Sequence, residues 1–269
     1  MTWLGFVDEA QGGGGPSRPA DMMTRATGKT RVAVVVPTYN ERENIKEFER
    51  RLRPLMESMR GRVTVLFVDD NSPDGTGAEI RGMMEGTPEF RLLEREGKKG
   101  LGTAFIQGFR SVIEGLDPDV IVQMDADLQH PPEIIELLVD QVASGAADVA
   151  IASRYVRGGS FKGLNWRRKA ISKGASWLSR TVLGLEVKDS TTGYKALNRG
   201  AVECLLAHPP RSVGFIFQVE SLYILNKNGF KLVEIPFTFE ERAKGASKMG
   251  SGEILEFFFG VLSIRFRKY

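Results

Sequence analysis

Two carboxylate clusters stand out by their spacing. Asp69-Asp70 closes the apolar run Val63-Thr64-Val65-Leu66-Phe67-Val68, and Asp125-Ala126-Asp127 closes Val120-Ile121-Val122-Gln123-Met124. The second cluster carries the stronger implication, because in an extended chain residues two apart face the same way. Two carboxylates held on one side repel each other unless a cation or a donor-rich ligand offsets them. A divalent ion with oxygen ligands, its shell completed by bound phosphates, is one chemistry that suits them; hydrogen bonding to the hydroxyls of a sugar is another. Asp69 and Asp70 have a plainer alternative, capping a helix that begins near Asp74. The single cysteine, Cys204, excludes a Cys-based zinc site, and the two histidines, His130 and His208, are far apart. Any metal would therefore rest mainly on oxygen.

The elements that must position these groups are legible as apolar runs. Val32-Ala33-Val34-Val35-Val36, ended by Pro37, is continuous and β-branched, as in a strand buried on both faces. Runs 63–68, 120–124 and 148–152 are of the same type. Between them lie helical patterns over 42–59, 75–84, 102–114 and 132–144, punctuated by Pro73, Gly100, Pro118, Pro131, Pro132 and Gly145. This alternation predicts a doubly wound α/β domain. In such a sheet ligands bind beyond the carboxyl ends of the strands. The site is therefore expected from Pro37-Thr38-Tyr39-Asn40-Glu41, Asp69-Asp70-Asn71-Ser72, Asp125 to Gln129 and Ser153-Arg154-Tyr155, with four or more carboxylates at one edge. Past Ser153 a basic, glycine-containing stretch leads to a helix over 165–183, a polar turn over 189–193, two helical segments and a strand near 230–236. This half is expected to finish the sheet and build the acceptor side.

Several classes are excluded. With 37 basic against 34 acidic side chains the net charge is +3, too small by itself for an electrostatic nucleic-acid binder. Gly28-Lys29-Thr30 lacks the upstream glycine of a P-loop and precedes a strand instead of following one; Gly100-Leu101-Gly102 has Phe105 where a dinucleotide fingerprint needs its third glycine. Residues 1–30, with four consecutive glycines, read as a disordered leader without the basic start of a secretory signal, which makes a cytosolic protein the default. Residues 251–269 carry Phe257-Phe258-Phe259, Val261, Leu262, Ile264 and Phe266 before Arg267 and Lys268. The charge-free part is too short for the ~20 residues of a spanning helix. Either a helix packed on the core or an interfacial helix with a basic tail is expected there.

Together the strand ends Pro37-Thr38-Tyr39-Asn40-Glu41, Val68-Asp69-Asp70-Asn71-Ser72 and Asp125-Ala126-Asp127 resemble a family 2 glycosyltransferase with a GT-A fold, a doubly wound, mixed, mostly parallel sheet flanked by helices. Gly100-Leu101-Gly102-Thr103-Ala104, Asp127-Leu128-Gln129-His130-Pro131-Pro132 and Phe239-Glu240-Glu241-Arg242 through Ser247-Lys248 resemble, more narrowly, the dolichyl-phosphate (polyprenyl-phosphate) mannose synthases. The resemblance covers residues 31 to about 260, a catalytic domain over 31–250 followed by the C-terminal helix. It implies GDP-mannose as donor and a polyprenyl phosphate as acceptor. Pro37, Tyr39, Glu41, Val68 and Asp70 would hold the guanosine; Asp125, Ala126 and Asp127 would face the diphosphate and mannose. Asp125, Asp127 and Gln129 would carry Mg2+ or Mn2+. Arg154, Arg242 and Lys248 would engage phosphates, and Arg168 with Ser172 would take the acceptor phosphate. It further implies peripheral contact with the cytoplasmic face of a membrane, with a separate anchor subunit in some relatives. Because a lipid phosphate is already anionic, a single displacement with inversion would need no general base. A different sugar nucleotide (UDP-glucose or an amino sugar), undecaprenyl phosphate or a polysaccharide as acceptor, and a catalytically silent scaffold are the alternatives.

Overall fold

Pro37 does not end the first strand: β1 runs Val32–Thr38, carrying the chain two residues closer to the site. Its ladder with β4 stops at Val35, so the missing proline N–H costs no bond on that side. The structure, a computed structural model, describes residues 30–59, 62–163, 165–240 and 251–269, the side chains of 251–255 excepted. After β1 come α1 (Arg42–Ser58), β2 (Val63–Asp69), α2 (Thr76–Gly86), β3 (Phe90–Glu94), α3 (Leu101–Gly115), β4 (Val120–Gln123), α4 (Ile135–Ala143, entered through a 3-10 turn at Pro132–Ile134) and β5 (Val149–Ser153). The second half adds β6 (Ser160–Lys162), α5 (Trp166–Leu183), β7 (Lys195–Asn198), α6 (Arg199–Ala207), α7 (Ile216–Lys227), β8 (Leu232–Pro236), β9 (Thr238–Glu240) and α8 (Ser251–Phe266).

The main sheet has the order β3-β2-β1-β4-β7-β5-β8. Only β7 runs against its neighbours, antiparallel to both β4 and β5. This is the doubly wound, mixed, mostly parallel sheet that was expected. Side chains alternate across β1. Val32, Val34 and Val36 face Ile45, Phe48 and Leu52 of α1 and Leu138 of α4. Ala33 and Val35 face Phe105 and Phe109 of α3 with Val202, Phe217 and Leu222 of α6 and α7. Each such buried side chain contributes about 1.5–3 kcal/mol, which makes the sheet a rigid base for the loops at its edge. Gly102, in the first turn of α3, is required by this packing, since a Cβ there would lie 2.6 Å from the Phe217 ring.

The antiparallel insertion of β7 has the main consequence for the site. Its N-terminal end lies at the edge where β4 and β5 finish, so the segment 189–194 leading into it is delivered beside Asp125 and Arg154. A two-stranded ribbon of β6 and β9 lies beyond, clasped by Lys162 to Glu240 at 2.9 Å.

Candidate active site

The ends of β2 and β4 bring Asp69, Asp70, Asp125 and Asp127 to the carboxyl edge of the sheet, in two different settings. Asp69 is buried and already committed: it accepts from Thr38 Oγ1 at 2.8 Å and from the Ser72 backbone N–H and hydroxyl at 2.9 and 2.6 Å. It ties the end of β1 to the turn after β2 and does not cap α2, whose first turn is organised by Asp74 accepting from Thr76. Asp70 is paired with Arg95, which also donates to Gln107 at 3.0 Å and Thr103 at 2.7 Å. Burial raises the Asp70 pKa against the opposing pull of Arg95. Among the described residues no group of three or more His, Cys, Asp or Glu side chains is placed to hold a metal. Asp69 and Asp70 thus build the floor of the β1–β2 side, while Asp125 and Asp127 lie at the end of β4.

Those two are set by a strained turn. Leu128 has φ +64°, a left-handed conformation uncommon for a branched residue, and this lets the Gln129 N–H donate to Asp127 Oδ1 at 3.0 Å. Asp127 is 6% exposed, whereas the Asp125 side chain is 32% exposed. His130 reaches back so that its Nδ1 accepts the Asp125 N–H at 3.0 Å, and its ring stacks on Tyr194 at 4.9 Å. Burial lowers the His130 pKa to about 4. The imidazole is thus neutral, and its 3.8 Å approach to Asp125 Oδ2 is a dipolar contact, not an ion pair.

At the end of β1, Tyr39 is half-buried with Lys98 Nζ 4.3 Å from its ring centroid, and Pro37, two residues earlier, is half-buried as well. Glu41 is half-buried, its N–H donating to Thr76 Oγ1 at 3.0 Å and its carboxylate accepting from Asn44 at 2.6 Å. The Val68 side chain is wholly buried in one core layer and that of Ala126 is buried in the other, so each can offer a ligand only its backbone.

Arg154 is held in place from several sides. Its Nε and Nη2 grip Asp189 Oδ2 and Oδ1, both at 2.7 Å, its backbone N–H adds a third bond at 2.9 Å, and Nη2 reaches Thr191. Burial works against the charge, but Asp189 outweighs it and raises the Arg154 pKa. The rings of Tyr155, Phe161 and Phe239 surround the guanidinium at 5.4–5.5 Å. The structure therefore places Arg154 as the buried anchor of the 189–194 segment. Arg168 and Ser172 share a face of α5, both half-buried, and α5 touches the same segment through Ser176 Oγ, 3.4 Å from Thr191 Oγ1. Ser172 lies beside the buried Tyr155 hydroxyl, near enough to offset part of the upward pull of burial on it, yet out of hydrogen-bond geometry. Gln129 is half-buried next to Asp127. Arg242 and Lys248 lie outside the described residues, as does the leader over 1–29.

Sequence reasoning missed Arg95, Asp189, Lys195 and Gln218. Lys195 is fully buried, with a pKa pushed down to about 7 by burial against the pull of Asp189 and Asp125. Only the turn around Gly193 hinted at any of them.

Asp125 and Asp127 suit a hard divalent ion that takes one or two protein carboxylates and completes its shell with substrate phosphates and water.

Residues 33–206 match glycosyl transferase family 2. Over 233 residues the chain is 41% identical to a polyprenol monophosphomannose synthase of Mycolicibacterium smegmatis, covering 86% of this chain and 85% of that protein. Over 230 residues it is 40% identical to a dolichol-phosphate mannosyltransferase of Pyrococcus furiosus, covering 84% of this chain but 61% of that longer relative. A solved mannosyltransferase from Pyrobaculum calidifontis, in complex with GDP-Man and Mn2+, superposes with a TM-score of 0.56 at 21% identity, over 81% of this chain and 59% of that one. Glucosyl-3-phosphoglycerate synthase from Mycobacterium tuberculosis, in complex with Mn2+, UDP and glucosyl-3-phosphoglycerate, gives 0.63 at 20% identity, over 92% and 84%. At these identities the two structures share the fold, which is GT-A.

Proposed function

This chain belongs to glycosyltransferase family 2, and from that premise we propose that it transfers mannose from GDP-mannose to a polyprenyl phosphate on the cytoplasmic face of a membrane. The observation that carries this reading is the pairing of Asp125 and Asp127 at the end of β4 with a buried histidine whose Nδ1 is already committed to the backbone. His130 is 4% exposed, its Nδ1 is taken by the Asp125 N–H, and burial holds it neutral down to acidic pH. A site arranged in this way suits a nucleophile that is already anionic, as a lipid phosphate oxygen is. The reaction is a single displacement with inversion: the acceptor oxygen bonds to the anomeric carbon while the bond to the nucleoside diphosphate breaks.

Asp125 and Asp127, with Gln129, would hold Mg2+ or Mn2+, which when bound stabilises the departing diphosphate. The chain's own residues orient the substrates. Tyr39, Glu41 and Pro37 flank the nucleoside, with Asp70 fixed behind them by Arg95. Arg168 and Ser172 on α5 face the acceptor phosphate, with Arg154 holding the 189–194 segment beneath them. Arg242 and Lys248, in the segment between β9 and α8, remain as phosphate ligands in this reading.

A lipid acceptor requires the protein to meet a bilayer. Among the described residues no helix is long and apolar enough to cross a membrane. One face of α8 is packed, with Val261 and Ile264 buried against α7, while Phe258, Phe259 and Phe266 are exposed. Trp166, Ile171 and Trp177 of α5 are exposed as well. Basic residues accompany these positions along the chain, Lys173 and Arg180 in α5, Arg265 in α8 and Lys268 just past its end. That combination supports peripheral contact with anionic lipid, directly or through an anchor subunit.

The test is transfer of labelled sugar by purified protein with Mg2+ or Mn2+ and a short polyprenyl phosphate in detergent, comparing GDP-mannose with UDP-glucose. Product from GDP-mannose, abolished in Asp127→Ala, is expected. Product from UDP-glucose alone would keep the acceptor and replace the sugar. No product from either, with GDP-mannose still bound, would move the assignment to a polysaccharide acceptor or a scaffold subunit.

A further inference from the structure

Behind Asp125 lies a buried polar chain that the reaction as described above does not use. Gln218, in the first turn of α7, is 1% exposed. Its Oε1 accepts from Gln123 Nε2 at 2.5 Å and from Lys195 Nζ at 2.6 Å. Two donors on that oxygen determine which way the amide faces, because a flipped amide would set its NH2 against both of them. Nε2 must then point the other way, and there it has no hydrogen-bond partner. A buried donor without a partner carries a substantial desolvation cost, so its direction is informative.

That direction can be read from Gly193. The point a Cβ would occupy on Gly193 lies 3.2 Å from Gln218 Nε2, 3.4 Å from His130 Cε1 and 3.5 Å from Asp125 Oδ2. Three groups, one from α7 and two from the turn after β4, thus converge over one glycine of the segment before β7, which leaves their approach open. The Asp125 side chain as a whole is 32% exposed.

We propose that Gln218 is a positioning residue for Asp125: its Nε2, without a partner in this structure, closes onto Oδ2 when the donor diphosphate and its cation bind, so that the other carboxylate oxygen is turned toward them. Lys195 and Gln123 hold the amide in the donating orientation, and Gly193 keeps the space between donor and acceptor clear. This rests on the reading of Asp125 as a donor-site ligand. Gln218 touches no substrate itself.

The test is a double-mutant cycle on full-length protein, reading both the dissociation constant of GDP with Mn2+ by calorimetry and turnover. A hydrogen bond to a charged group is worth about tenfold or more in an equilibrium constant. Gln218→Met is expected to weaken Mn2+–GDP binding about tenfold in the wild-type background and less than about twofold in an Asp125→Ala background. If Gln218→Met does not fold, Gln218→Glu, which keeps the acceptor for Lys195 and Gln123 but loses the donor, goes through the same cycle. Equal losses in the two backgrounds, or no loss in either, would overturn the positioning role while leaving the Asp125 assignment standing. Wild-type binding and turnover in Asp125→Ala would instead remove the assignment on which the inference rests.

Discussion

Arg154 separates two accounts of the acceptor side that differ in what its loss should do. As a phosphate ligand it would be dispensable for folding and essential for turnover. As placed here, it is the buried half of an ion pair whose carboxylate, Asp189, is 0% exposed. Breaking such a pair from one side strands the other charge and costs about 3–5 kcal/mol. The Asp189→Asn variant retains volume but leaves the guanidinium, enclosed by three aromatic rings, without a counter-charge. For a chain of this size each kcal/mol lowers the melting temperature by roughly 2–4 °C, so a drop on the order of 10 °C is expected. The double variant Arg154→Met/Asp189→Leu should recover most of that loss, because neither charge is then buried alone. Urea unfolding at fixed pH, with the m-value checked for constancy, gives the three free energies needed. Additive losses in the double variant, or Arg154→Met that unfolds like wild type yet abolishes transfer, would refute the anchor role and return Arg154 to the phosphates.

Two further outcomes follow from the same geometry. His130 has a folded pKa of about 4 against 6.5 when unfolded, so between those values the unfolded chain binds the extra proton and stability rises with pH. Acidification from pH 6.5 to 4 should therefore withdraw up to about 3 kcal/mol, and His130→Phe should show a shallower slope across that window; parallel slopes in unfolding free energy would remove His130 as the cause. Trp166→Ser combined with Trp177→Ser, at positions 71% and 64% exposed, should lower co-sedimentation with anionic vesicles about tenfold with unfolding unchanged, and equal sedimentation would place the membrane contact elsewhere.

What the sequence discloses here depends on whether a feature is local. The four β-branched runs each announce a strand because burial on both faces demands apolar residues at every position. The short strand Lys195-Ala196-Leu197-Asn198 gives no such signal: it is a buried strand only because β4 and β5 close on it from either side, and it opens with a lysine. The same limit governs the site. Asp69-Asp70 and Asp125-Ala126-Asp127 look alike as strand ends, yet Asp70 is taken by Arg95, 25 residues away, whereas the side chain of Asp125 is left one-third exposed. Arg154 was conspicuous as a cation, and Asp189, 35 residues later, decides what that cation does. Gln123 and Gln218, 95 residues apart, carry no sequence signal at all. Residues that meet ligand are recognisable by type and by their place at a strand end; residues that aim them are recognisable only by the partner the fold brings. A reading from residue types alone will therefore over-assign charged side chains to ligands and overlook the neutral ones, such as Gln218, that set the direction of the few that remain.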